Sequence, residues 1–244
     1  MMDVQQTINR IRYIPARVGL QKKKHLFIHI PKNGGMSIRR APQLKGQILT
    51  ATRKRLISRQ YADTLLATME SYGHHHGYHH ARLIDVDASV RKASVPFAAL
   101  RNPWCRVFSR FTFGLQGQKE IDSKEELRRE FEAFLEERHQ WGGVEYFWHR
   151  AVRGWYPQAD YVVDETGKIA VNLLRFENLD GDFRNYFNVD MPLRPRNRTV
   201  RMNVRYTEVY TDKLIQDVAD WYQRDIELFG FDFVGSATKN TYFT

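Results

Sequence analysis

Residues 25–39 read HLFIHIPKNGGMSIR, and no other stretch limits the possible folds so tightly. Leu26, Phe27, Ile28, His29 and Ile30 form a short run, mostly apolar and rich in strand formers, which predicts a buried strand. Pro31 ends it, because proline has no N–H to give to a ladder. Lys32, Asn33, Gly34 and Gly35 then predict a loop, and Met36, Ser37, Ile38 and Arg39 the first turn of a helix. A strand, a glycine loop and a helix start make an anion site, since glycine lets the backbone approach closely and the free N–H groups face the ligand. Lys32 adds a full positive charge at the loop entrance. Taken alone, the same pattern also fits a plain tight turn. It departs from the nucleotide-triphosphate loop G-x-x-x-x-G-K-[ST], in which the lysine follows the glycines.

A second strand-to-helix passage lies at 96–113. Pro96 to Leu100 reads as a buried strand, Asn102 as an N-cap and Pro103 as the first helical residue. Val107, Phe108 and Phe111 face the core of the helix that follows. Ser109 lies seven residues after Asn102, almost two turns on, and so shares a face with it. Between these passages, residues 73–80 read GHHHGYHH and hold five of the nine histidines. Three readings fit that cluster: a metal site, an aromatic polar loop without chemistry, or a general base. No nearby Cys, Asp or Glu completes a recognisable metal-ligand spacing.

The order of PKNGGMS resembles the 5′-phosphosulfate loop, P-K-T-G-G-T-S, of sulfotransferases that use 3′-phosphoadenosine 5′-phosphosulfate (PAPS), in particular their carbohydrate branch. RNPWCRVFS resembles that family's 3′-phosphate motif, R-[ND]-P-x-x-R-x-x-S. PQADYVVDETG and RFENL, at 157–167 and 175–179, are also similar to family segments. The resemblance spans roughly residues 24–233. It implies a single α/β domain of P-loop-like type, with a mainly parallel central sheet flanked by helices. It also implies sulfuryl transfer from PAPS to a hydroxyl, most readily on a glycan, without a metal.

Carried over residue by residue, the resemblance makes Lys32, Asn33, Gly34, Gly35, Met36 and Ser37 the loop contacts. Asn33 and Met36 stand where the family carries threonines, so their backbones are the firmer contacts. Arg101 and Ser109 become the 3′-phosphate contacts, with weaker candidates Asn197, Arg198, Thr199 and Arg201 in a basic loop. The family places its catalytic histidine about twenty residues before that arginine. This points to His80 first, then His79, with His76 in reserve. Glu177 ends a strand where ligands of α/β sheets lie, and a structural role fits it equally.

The remaining segments read as scaffold. Leu65, Leu66 and Met69 mark a helix within 60–72, and a capping box at Ser123 and Glu126 opens one over 123–138. Two runs, Tyr161–Val163 and Ile169–Phe176, flank a Gly167 turn and predict a hairpin. Thr211 caps a final helix that Gly230 ends. Residues 1–24 read as a basic segment draped over the surface, 25–234 as the domain, and 235–244 as a loose tail.

Length and charge narrow the class. A chain of 244 residues, 42% hydrophobic, suits one domain with a sizeable core. The formal net charge of +10 favours anionic partners. The arginines are spread over many segments, which argues against nucleic acid. Cys105 is the only cysteine, so an intrachain disulfide is impossible and a reducing compartment fits. No apolar run is long enough to span a bilayer and the amino-terminal segment lacks an apolar signal core, so a cytoplasmic protein is expected. Two rival readings remain: a kinase of related fold, which the lysine position disfavours, and a non-catalytic polyanion-binding module.

Overall fold

The computed structural model describes residues 4–51, 54–71, 80–115, 121, 123–141, 155–196 and 204–243. Helices α1 (Val4–Arg12) and α2 (Ile14–Arg17) precede strand β1 (Lys24–Phe27), which α3 (Gly35–Arg39) and β2 (Ile48–Thr50) follow. Next come α4 (Arg59–Ser71), α5 (Ala88–Lys92), β3 (Ser94–Leu100), α6 (Pro103–Gly114) and α7 (Lys124–Trp141). The last elements are α8 (Ala159–Val162), β4 (Asn172–Arg175), α9 (Leu179–Phe187), α10 (Asp212–Trp221) and α11 (Gln223–Phe229).

The strands pair in the order β2-β1-β3-β4, every pair parallel. Side chains alternate between the two faces of the sheet. Leu26, Ala98, Leu100 and Leu173 share one core layer with Val107 and Phe108 of α6 and Leu127 of α7. Phe27, Phe97, Ala99 and Leu174 share the other with Ile38 of α3 and Phe183 of α9. A parallel sheet covered on both faces needs apolar side chains on both, which FAAL of β3 and Leu173 and Leu174 of β4 supply. The chain passes from β1 to β2 on one side, then returns to lay β3 on the other side of β1. The crevice beyond the carboxyl ends of β1 and β3 is therefore the topological switch point, where α/β sheets bind ligands.

Several expected elements differ. β1 stops at Phe27, short of Ile30, because the chain turns inward: Ile28 N–H still bonds Phe97 O, but Ile30 N–H turns back to Ile28 O. The predicted hairpin reduces to a single antiparallel bridge, Val163 to Ile169. Tyr161 and Val162 sit in the helical turn α8, and the second run becomes β4, buried on both faces beside β3. The amino-terminal segment lies on the surface, as expected, but it is helical. It folds into α1 and α2, with Asn9 buried and its amide donating to Arg55 O at 2.9 Å. The final helix breaks into α10 and α11 at Tyr222, whose buried hydroxyl bonds Trp155 O at 3.0 Å. The tail expected to be loose is docked, with Tyr242 N–H donating to Leu173 O at 2.9 Å and Ala237 buried. Gly73, expected to end α4, lies outside the described residues.

Candidate functional site

The loop after β1 is built by two left-handed residues. Gly34 has φ 73° and Lys32 has φ 66°. For a lysine that conformation costs on the order of 1–3 kcal/mol, and such strain concentrates at functional sites. Gly35 is required by close approach: a Cβ there would collide with the imidazole of His29, which packs against it. His29 is itself buried and its ring lies 5.5 Å from that of Phe27. Behind this loop α3 begins with Gly34 as N-cap, and among the described residues no side chain caps it. Ser37 N–H bonds Gly34 O at 3.0 Å, so the amides of Gly35 and Met36 are the ones left without an intrahelical acceptor.

The loop after β3 reaches across to it. Arg101 Nη1 donates to Lys32 O at 2.7 Å, while its Nε and Nη2 lie 3.3 and 3.1 Å from Cys105 Sγ. The guanidinium rests on the Phe176 ring, 4.1 Å from its centroid. Asn102 caps α6 by accepting Cys105 N–H at 3.2 Å. Its amide pins the segment after α11, donating to Asp232 O at 2.8 Å and Gly235 O at 2.9 Å. Glu177 accepts Asn102 N–H at 2.8 Å, and burial pushes its carboxyl up despite that bond and the Arg101 charge.

Two buried side chains lock the loops together. Gln158 faces the backbone of Arg101 as a neighbouring strand would: its Oε1 accepts Arg101 N–H at 2.9 Å and its Nε2 donates to Arg101 O at 2.8 Å. The same Oε1 accepts Asn33 Nδ2 at 2.6 Å, and Asn33 also donates to Ala99 O at 2.7 Å. The backbone N–H groups of Gln158 and Ala159 are in turn held by the Asp225 carboxylate, both at 2.8 Å. Arg106, 1% exposed, donates to Pro31 O at 3.1 Å and to Tyr156 O at 2.9 Å.

Charge is unbalanced at the loop. Lys32 Nζ lies over the Phe113 ring, 3.9 Å from its centroid. Burial, with the positive charges of Arg101 and Arg110 beside it, brings the Lys32 ammonium down to about 7. Three cations thus converge where the two loops meet, an arrangement that an anion would relieve.

His80 stands on the far side of His29. Its ring is 4.4 Å from the His29 ring, and its Nδ1 lies 2.6 Å from His29 O. A carbonyl can only accept, so Nδ1 carries the proton, and Nε2 holds the lone pair of the neutral ring. His80 is also left-handed, with φ 67°.

The structure thus brings Arg101 against the loop of Lys32, Asn33, Gly34 and Gly35, and joins His80 to that loop through His29. The Asn33 side chain turns inward, which leaves its backbone as that residue's contact. Met36 is half-buried, with its sulfur 4.0 Å from Arg39 Nη1. Ser37 Oγ accepts Arg196 N–H at 2.9 Å and so ties α3 to the start of the basic loop. Ser109 is half-buried on α6, and no hydrogen bond joins its hydroxyl to Arg101 or the loop among the described residues. His76, His79, Asn197, Arg198, Thr199 and Arg201 lie outside those residues, and among the described residues no group of three or more His, Cys, Asp or Glu is placed to hold a metal ion. Sequence reasoning missed Gln158, Arg106 and Arg110 as parts of the site. Arg106 carried a signal in its fixed spacing from Arg101, whereas no local signal marked Gln158.

Comparison with protein-family models, with curated proteins and with solved structures finds no match to this chain.

Gln158→Leu removes three hydrogen bonds and leaves the Arg101 N–H buried without an acceptor. The expected loss is about 2–4 kcal/mol in urea unfolding, on the scale of unsatisfied buried polar groups. A loss under about 0.5 kcal/mol would show that the clamp is dispensable. Lys32 should also acylate near neutral pH, ahead of lysines that titrate near the usual value of about 10.4. Peptide mapping after a short pulse of an acylating reagent reads this directly, and labelling of Lys32 no faster than of the exposed Lys22–Lys24 run would contradict it.

Proposed function

We propose that this chain is a sulfotransferase that moves the sulfuryl group of PAPS to a hydroxyl, most readily one on a carbohydrate. The observation that carries the reading is the half-buried Lys32 ammonium, with the positive charges of Arg101 and Arg110 beside it, at the switch point of a parallel sheet. A site with three converging cations suits a nucleotide with phosphate at two positions. The motif resemblance of PKNGGMS and RNPWCRVFS selects the sulfated member of that class.

In this reading PAPS supplies the transferable sulfuryl group and an adenosine bisphosphate leaving group. Lys32 and the amides of residues 34–36 hold the 5′ end and stabilise negative charge that grows on the bridging oxygen as its bond to sulfur breaks. Arg101 holds the 3′-phosphate through a charge-assisted contact, its backbone fixed by Gln158. His80 takes the acceptor's proton at Nε2 while the acceptor oxygen bonds sulfur, and the His29 carbonyl keeps the ring in the tautomer this needs. Transfer of this kind depends on alignment and charge placement, which a clamp of buried hydrogen bonds provides.

Adenosine 3′,5′-bisphosphate should bind at least tenfold more tightly than adenosine 5′-monophosphate, and Arg101→Ala should abolish most of that preference. Calorimetric titration of both ligands tests this. Equal affinities would instead favour a generic polyanion module or a kinase of related fold. Lys32→Ala should lower sulfuryl transfer by on the order of 10²-fold. His80→Ala should lower it by roughly 10²–10⁴-fold with bisphosphate affinity nearly unchanged. A silent His80→Ala alongside a dead His76→Ala or His79→Ala would move the base to that residue.

A further inference from the structure

The amino-terminal helices are inside out. An amphipathic helix on a globular protein turns its apolar stripe toward the core. Here α1 turns a polar residue inward, Asn9 being 1% exposed and bonded to Arg55 O, and leaves its aliphatic residues in solvent. Val4, Ile8 and Ile11 recur at helical spacing on the outer face, and Ile14 in α2 and Val18 and Leu20 in the segment after it are exposed as well. Their exposure runs from 40% for Ile8 to 83% for Leu20. Elsewhere, the exposed large hydrophobics among the described residues are single side chains such as Phe113, Met191 and Val234.

The charges around this stripe have one sign. Residues 4–24 contain Arg10, Arg12, Arg17, Lys22, Lys23 and Lys24 and no Asp or Glu. All six are exposed. At helical spacing Arg10 and Arg12 fall on opposite sides of the Val4, Ile8 and Ile11 line, and Arg17 folds back to donate to Arg10 O at 2.8 Å. Long basic side chains beside an apolar line can lay their stems along it and carry the charge outward.

We infer that this face docks on an anionic lipid surface, as an interfacial attachment that does not cross the bilayer. Its apolar line and one-signed flanks are those of helices that lie in the headgroup region. Branched aliphatic side chains partition into hydrocarbon without a shaped partner, whereas protein interfaces concentrate their energy in Trp, Tyr and Arg seated in pockets. The stripe contains no aromatic residue, so the lipid fits it better than a protein groove does. Among the described residues no helix is long and apolar enough to cross a membrane. Lys22–Lys24 lie at the amino end of β1, opposite the carboxyl ends that form the switch point, so attachment here leaves the proposed site accessible. The inference stands apart from the enzymatic reading and does not need it.

Sedimentation with vesicles tests it. The full chain should co-sediment with equimolar phosphatidylglycerol and phosphatidylcholine vesicles, weaken as salt rises, and stay in solution with phosphatidylcholine alone. Ile8→Gln with Ile11→Gln should reduce binding by on the order of tenfold or more. Arg10→Gln with Arg12→Gln should reduce it roughly 30-fold, from the attraction of each basic residue to an anionic leaflet. These side chains face solvent, so thermal unfolding and bisphosphate affinity should not change in either variant. Absence of vesicle binding, or equal binding by wild type and both variants, overturns the inference. So does a lipid-free dimer that Ile8→Gln with Ile11→Gln dissociates, because the stripe is then covered by a second copy.

Discussion

A parallel sheet runs out of partners at the carboxyl ends of its strands, and here one side-chain amide supplies what is missing. Gln158 offers Arg101 the acceptor and donor that a neighbouring strand would have offered, then takes a third bond from Asn33. The loops after β1 and β3 are thereby held as one body at the switch point. Their own strain would otherwise oppose this, since Lys32 lies in left-handed backbone. Asp225 is buried and holds the Gln158 turn from below, with burial raising its carboxyl and two backbone N–H bonds opposing that rise. Loss of any member leaves another buried polar group unsatisfied, which makes such a network rigid when complete.

Rigidity matters because the surface it presents is electrostatically unfavourable in the absence of an anion. Arg101 bonds the carbonyl of Lys32 while its charge lies against the Lys32 ammonium. Arg106 is fixed by Pro31 O on the buried side of the same loop. Backbone carbonyls, Cys105 and the Phe176 and Phe113 rings hold the cations where they converge. Positive charge kept close in this way is preorganised for a multiply charged ligand, which then meets little reorganisation on binding.

The parts of this design that follow local rules were legible in the sequence. Pro31 and the glycines announce the first loop, and Asn102-Pro103 announces the start of α6, because proline and capping preferences act within a few residues. Long-range pairings were not legible. Nothing local distinguishes Gln158 from a solvated glutamine, since its partners lie 57 and 125 residues away. The runs flanking the Gly167 turn read as a hairpin, yet the burial of Leu173 and Leu174 on the two faces of the sheet beside β3 decides otherwise. The inverted α1 was missed because a basic, weakly apolar segment reads as surface whichever side faces the protein. Ser109 shows the converse: helical periodicity placed it near Asn102, but the neighbour that acts on Lys32 is Arg110.

The claim that the converging cations await an anion is tested most directly by counting protons. Lys32 titrates near 7 in the free protein and should be held protonated by a bound bisphosphate. Below about pH 7 the ammonium is charged in both states, and binding moves no proton at this group. Above that value the free amine must gain a proton as the ligand binds, so affinity falls by up to about tenfold per pH unit. Calorimetric titration of adenosine 3′,5′-bisphosphate at about pH 8, in two buffers of different ionisation enthalpy, should report uptake of nearly one proton per ligand. Lys32→Met should abolish that uptake. Binding without proton uptake in the native chain, or uptake that survives Lys32→Met, would contradict the account.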